Sequence, residues 1–113
     1  MKGQTLKENK DFRRLYYRGK NKAGSVLVTY AMKNKKGHNA IGITTGKKIG
    51  GAVERNRARR IIRVAFRNLE QEINGSWDFV FVARSRTTMV KEQEVEAQMR
   101  AHFVELGIIN EKD

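Results

Sequence analysis

With 113 residues, the chain has room for one core of the usual ~100–150-residue domain and none for a second, so a single domain over 1–113 is expected. Twenty-four Lys and Arg against 12 Asp and Glu leave a formal net charge of +12, far more than solubility requires, which points to a polyanionic partner. Zero cysteines and 2 histidines exclude a disulfide scaffold, a zinc ribbon and a thiol nucleophile; no apolar run approaches the ~18–20 residues of a membrane span, and no apolar export segment follows the N-terminus, so a cytoplasmic protein without a membrane partner is expected.

Taken in chain order, Asn9 suits an N-cap, Phe12, Leu15 and Tyr16 fall at i, i+3 and i+4, and Gly19 suits a left-handed helix end, which predicts a helix over 9–18 with Leu6 packed on its start. The stretch 26–32 is β-branched and aromatic. Its alternation puts Val26, Val28, Tyr30 and Met32 on one face of a strand and Leu27, Thr29 and Ala31 on the other. A polar connection over 33–39, with Gly37 free for positive φ, leads to a second strand over 40–45, and the two are expected to pair antiparallel. Residues 52–69 read as the clearest helix: Ala58, Ile61, Ile62, Ala65, Phe66 and Leu69 share an arc of about 140°, and Arg57, Arg59, Arg60, Arg63 and Arg67 fill much of the opposite one. Asn74, Gly75 and Ser76 break the chain before a strand over 77–84, apolar enough for the centre of a sheet. Val95, Met99, Phe103 and Leu106 make the stripe of a last helix over 91–106, closed by Gly107. The order is that of an α+β fold, a two-layer α/β sandwich.

The charge is concentrated. Residues 1–67 carry 19 basic and 3 acidic side chains, net +16, while residues 68–113 carry 5 and 9, net −4. The densest stretch runs from the Gly-rich loop with Lys47 and Lys48 into the arginine-bearing helix, where 8 basic residues face one acid, Glu54. Helix ion pairing would need acids three or four residues away, so an unpaired arc of arginines implies a polyanion that neutralises it. Glycines and helix N-terminal amides favour phosphate there, but the spacing is not that of a mononucleotide P-loop. Phe12, Tyr16 and Tyr30 are candidates to stack on unpaired bases, with core packing the competing role. Trp77 is a core anchor, and His38, His102, Asp11 and Asp78 form no catalytic or metal-ligating constellation.

From Thr45 to Arg63 the chain reads TGKKIGGAVERNRARRIIR, which resembles the V-S-K-K-x-G-x-A-V-x-R-N-R-x-K-R-x-x-R segment of the protein component of bacterial ribonuclease P. The resemblance extends over about residues 6–103, through Leu6, Lys7, Asn9, Asp11 and Phe12, the strand ending in Tyr30, and Asp78 with Ala83 and Arg84. It implies an αβββαβα sandwich with a left-handed crossover, as in ribosomal-protein and translation-factor domains. That is one strand more than the elements above, with 21–24 the candidate. It further implies that Arg55, Asn56, Arg57, Arg59, Arg60 and Arg63, with Lys47, Lys48 and Arg67, meet a catalytic RNA subunit. Phe12, Tyr16, Val28, Tyr30, Thr44 and Lys47 would line a cleft for the single-stranded 5′ leader of precursor tRNA. The chemistry would belong to the RNA, with Mg²⁺ held mainly by RNA and no cofactor on the protein. Two positions depart from the pattern: Gly46 stands for the serine before the lysine pair, and Ser85, Arg86 and Thr87 replace a segment that usually holds proline. A non-catalytic ribosomal or RNA-chaperone module is the alternative; an architectural DNA-binding protein is less favoured, because no dimerisation element is visible.

Overall fold

A strand as apolar as Trp77–Ala83 is most stable at the centre of a sheet, paired on both edges, and the sheet is arranged around it. The computed structural model describes residues 4–6 and 8–110, so Lys7 lies outside the described residues. Its elements are β1 (Gln4–Thr5), α1 (Asn9–Arg18), β2 (Lys20–Ala23), β3 (Leu27–Lys33), β4 (Ala40–Thr44), α2 (Ala52–Leu69), β5 (Trp77–Ala83) and α3 (Glu92–Glu105), with short 3-10 turns at Lys47–Ile49, Glu70–Glu72 and Ser85–Thr88. The strand order is β1-β4-β5-β3-β2. β5 runs antiparallel to β3 and parallel to β4, giving a mixed sheet in an α+β fold whose long elements follow the order αβββαβα. The extra strand sought at 21–24 is β2, a lysine-bearing edge antiparallel to β3, as suits an edge open to water.

The antiparallel pair expected between the second and third long strands does not form. β5 lies between β3 and β4, and the polar connection bonds to the start of β5 instead of closing a hairpin. Asn34 donates its backbone N–H to the Ser76 carbonyl at 3.1 Å, the Ser76 hydroxyl donates to the Asn34 carbonyl at 3.2 Å, and the Trp77 N–H donates to Asn39 Oδ1 at 2.9 Å. A strand with every side chain apolar except Asp78 is most stable with a neighbour on each side. Two helix-end expectations also fail. Glu8, not Asn9, occupies the α1 N-cap, without a side-chain cap bond, and Gly19 is extended at φ −73°, ψ 156°. Glycine is needed at position 19 for space, since a Cβ would lie 2.6 Å from the Leu15 carbonyl oxygen.

The alternation of β3, β4 and β5 divides the core in two. On one face Leu27, Ala31, Ile41, Phe79 and Phe81 pack against Ala58, Ile62, Ala65, Phe66 and Leu69 of α2 and Val95, Met99 and Phe103 of α3. The Phe66 ring lies 5.3 Å from Phe79, 5.9 Å from Phe81 and 6.5 Å from Phe103, centroid to centroid. Trp77 is buried and its indole N–H donates to the Asn74 carbonyl. His102 shares a 2.8 Å hydrogen bond with the Thr29 hydroxyl inside this core, and burial holds its ring below the usual imidazole range. The Ser85–Thr88 turn needs no proline, because the Thr87 hydroxyl donates to the Val26 carbonyl at 2.6 Å and accepts the Arg84 N–H at 2.9 Å.

Among the described residues, α1 and Leu6 beside it cover the other face. Leu15 is fully buried against Leu6, Ala40 and Val80, with Phe12, Tyr30, Met32 and Val82 half-covered around them. Asp78, buried on this face, accepts from Arg14 of α1 at 2.7 Å, Lys36 Nζ at 3.1 Å and Asn34 Nδ2 at 2.9 Å, which ties the helix to the sheet. A ten-residue helix cannot cover the face, and part of it stays open.

Candidate nucleic-acid interface

The open part is defined by register. Val28, Val82 and Thr44 are neighbours across β3, β5 and β4; the next row is Tyr30, Val80 and Gly42, and the next Met32, Asp78 and Ala40. α1 sits over the latter two rows. Phe12 lies directly on Gly42, where a Cβ would come within 2.5 Å of its ring, so the glycine is what lets the helix approach. Tyr16 packs edge-on against Tyr30, centroids 4.9 Å apart at 73°, and stays 42% exposed. Among the described residues the first row is left open. Val28, Val82 and Thr44 floor a depression of about 590 Å³ whose walls come from the 45–49 loop and Arg84. Three strands at ~4.8 Å spacing make a floor about 10 Å across. Five of the six residues assigned to a leader cleft, Phe12, Tyr16, Val28, Tyr30 and Thr44, thus share one sheet face. The sixth, Lys47, is exposed in its turn and is not among the residues lining the depression; Lys48 is.

α2 presents its cations on the far side of the sheet. Arg57, Arg60, Arg63 and Arg67 are exposed and, among the described residues, none has a hydrogen-bond or ion-pair partner. Arg55 and Arg59 are half-buried: Arg55 donates to the Gly50 carbonyl at 3.3 Å and Arg59 to Asn56 Oδ1 at 3.0 Å. Glycine is required at position 50, which adopts φ 133°, ψ −157° and packs against Glu54. Gly51 caps α2 without a side chain, leaving the first-turn N–H groups open to an anion. The 45–51 loop, with Lys47 and Lys48 exposed, is where the two surfaces meet: it leaves the end of β4 beside the open row and enters α2. Gly46 is exposed, and a Cβ at this position would meet nothing within 4 Å, so the missing serine reflects no lack of space.

Sequence reasoning missed Val82, Thr45, Arg84 and the cleft position of Lys48. Alternation along β5 places Asp78, Val80 and Val82 on one face and could have marked Val82; the register that sets it between Val28 and Thr44 has no signature in a single sequence. Asp78 emerges as the anchor of α1.

A small α+β sandwich whose exposed working groups are cations and rings is the class these surfaces define. Among the described residues no group of three or more His, Asp or Glu comes together, and no helix is long and apolar enough to cross a membrane. The family model for ribonuclease P matches residues 1–107, and the chain belongs to the ribonuclease P protein family. It is 34% identical over 111 residues to the ribonuclease P protein component of Clostridium botulinum (strain Loch Maree / Type A3), covering 97% of this chain and all of that one. It is 45% identical over 80 residues to that of Clostridioides difficile (strain 630), 70% of each chain. The Staphylococcus aureus RNase P protein superposes with a TM-score of 0.82 at 29% identity, over 96% of this chain and 100% of that one. The coarse role follows: a protein component of ribonuclease P, the ribonucleoprotein endonuclease of tRNA processing.

Proposed function

We propose that the chain acts in the cytoplasm as one RNA-binding domain that assists the catalytic RNA of ribonuclease P in removing the 5′ leader of precursor tRNA. The RNA subunit is bound by the α2 face, through Arg55, Asn56, Arg57, Arg59, Arg60, Arg63 and Arg67 with the Lys47 and Lys48 loop. The single-stranded leader lies in the cleft beside α1, on Phe12, Tyr16, Val28, Tyr30 and Thr44, with Lys47 and Lys48 nearby. The active site is in the RNA, which holds most of the Mg²⁺. The observation that carries this reading is the sheet face left open beside the Tyr16–Tyr30 ring pair, on the opposite side from a helix with four unpaired arginines: one surface fits a strand with unstacked bases, the other a folded RNA backbone. The protein's contribution is affinity, by neutralising phosphates and stacking on bases.

Replacing Tyr16 and Tyr30 together by alanine is expected to weaken leader-bearing precursor by the ~1–3 kcal/mol that stacking on a base supplies, and to leave mature tRNA binding by the assembled enzyme unchanged. Equal losses for both RNAs, read by titration, would show that the rings serve packing alone.

A further inference from the structure

Tyr17 is 92% exposed, more than any other large hydrophobic side chain among the described residues. At 100° per residue it lies with Lys10 and Arg13 on the arc of α1 opposite the fully buried Leu15. Leu15, Phe12 and the Arg14–Asp78 pair hold the helix to the sheet; nothing in the packing calls for a tyrosine on the outside. Arg13 and Arg18 have no ion-pair or hydrogen-bond partner among the described residues, and Lys10 meets only Glu8, at 3.7 Å between two exposed side chains. Together with Tyr16, these residues and Arg14 line a shallow depression of about 530 Å³ on the outer side of α1. Asp11, the other acid of this segment, lies 3.4 Å from Arg14 and is turned toward it. The face is therefore a bare ring among cations.

An exposed ring flanked by unpaired guanidinium groups matches an unpaired nucleotide: the ring offers a stacking surface to any base and the arginines meet the adjoining phosphates. An apolar or cationic partner would leave those charges uncompensated. Tyr16 borders both this depression and the cleft, because its ring reaches from α1 onto Tyr30 of β3. A strand leaving the cleft past Tyr16 therefore comes next to Arg13 and Tyr17.

We propose that the outer face of α1 is a second single-stranded RNA contact, receiving leader nucleotides upstream of those in the cleft, with Tyr17 stacking on a base and Arg13 and Arg18 on phosphates. The assignment rests on the leader reading of the cleft. Its test compares two precursor tRNAs on the assembled enzyme, one with a leader that fills only the cleft and one extended by about four nucleotides, within the span of a single small binding module. The intact protein is expected to bind the extended leader more tightly. Tyr17→Ala should cost that precursor about fivefold or more in affinity, the low end for one stacked base, and leave the short one unchanged, while Tyr17→Trp keeps the advantage. Arg13→Ala with Arg18→Ala should reduce the advantage and its salt dependence. Equal effects of Tyr17→Ala on both leaders, or none on either, would overturn the proposal. So would a loss of affinity for the RNA subunit alone, or a protein self-association that Tyr17→Ala abolishes. Tyr30→Ala, a cleft variant, should weaken both precursors; if it weakens neither while Tyr17→Ala still discriminates, the outer contact stands and the cleft reading fails.

Discussion

Alanine at Arg57, Arg60 and Arg63 together is expected to lower affinity for the RNA subunit by tenfold or more at moderate salt. The dependence of log K on log salt should flatten by about 0.7–0.9 for each phosphate that is no longer neutralised, about 2 to 3 in total. These three are chosen because they are exposed and have no hydrogen-bond or ion-pair partner among the described residues, unlike Arg55 and Arg59, which also bond within the protein. Their removal breaks no bond within the fold and relieves mutual repulsion along the helix. The free protein should unfold at the same or a higher denaturant concentration, so a weaker RNA complex cannot be traced to unfolding. An unchanged affinity and slope would remove α2 from the RNA-binding surface. A smaller flattening would mean that some of the arginines remain solvated in the complex.

Phe66→Ala tests the opposite side of the same helix and should act through stability. Phe66 is 1% exposed and touches the rings of Phe79, Phe81 and Phe103, drawn from β5 and α3. Truncation leaves a cavity at the junction of three elements, for which ~3–5 kcal/mol is the usual cost, against a total of ~5–15 kcal/mol for a domain. Urea unfolding should show the stability falling by that amount, with Phe66→Leu losing markedly less because it keeps more of the volume. On the proposed reading the folded α2 face binds RNA more tightly than the unfolded chain does, so saturating RNA subunit should restore part of the lost folding by linkage. A midpoint unmoved by Phe66→Ala would show that α2 is not seated on the sheet through this ring. The two faces of α2 thus separate experimentally: the arginine variants change salt-dependent affinity and spare stability, and the Phe66 variant does the reverse.

Local pattern carried much of this architecture. The 3.6-residue period of α2 located both faces of the helix, and the 2-residue period of β3 separated Tyr30 and Met32 from Leu27 and Ala31, the same division the two cores make; Val26, expected beside Tyr30, precedes the strand and packs with Leu27 instead. The candidate α2 surface lies on one element, so its arginines could be found from charge and period. The cleft depends on which strands are neighbours. Consecutive strands pair by default, which made β3 and β4 look like a hairpin; the information that β5 lies between them sits in long-range bonds such as Asn39 with Trp77 and Arg14 with Asp78. The same limit explains Val82 and Lys48, each of which acquires its place in the cleft only through that insertion. At the helix ends, local signals were overridden by packing: the proximity of the Leu15 carbonyl, not a left-handed turn, selects glycine at position 19.

Reconstitution separates most directly a chain that supplies binding surface to a catalytic RNA from one that acts by itself. The protein, a ribonuclease P RNA subunit and a leader-bearing precursor tRNA are combined at a Mg²⁺ concentration too low for the RNA to act alone, and 5′ maturation is followed with each component left out in turn. Accurate leader removal is expected only when protein and RNA subunit are both present, with activity of the RNA alone recovered at high Mg²⁺. Leader removal by the protein without the RNA subunit, or an RNA-subunit reaction indifferent to the protein at low Mg²⁺, would contradict it.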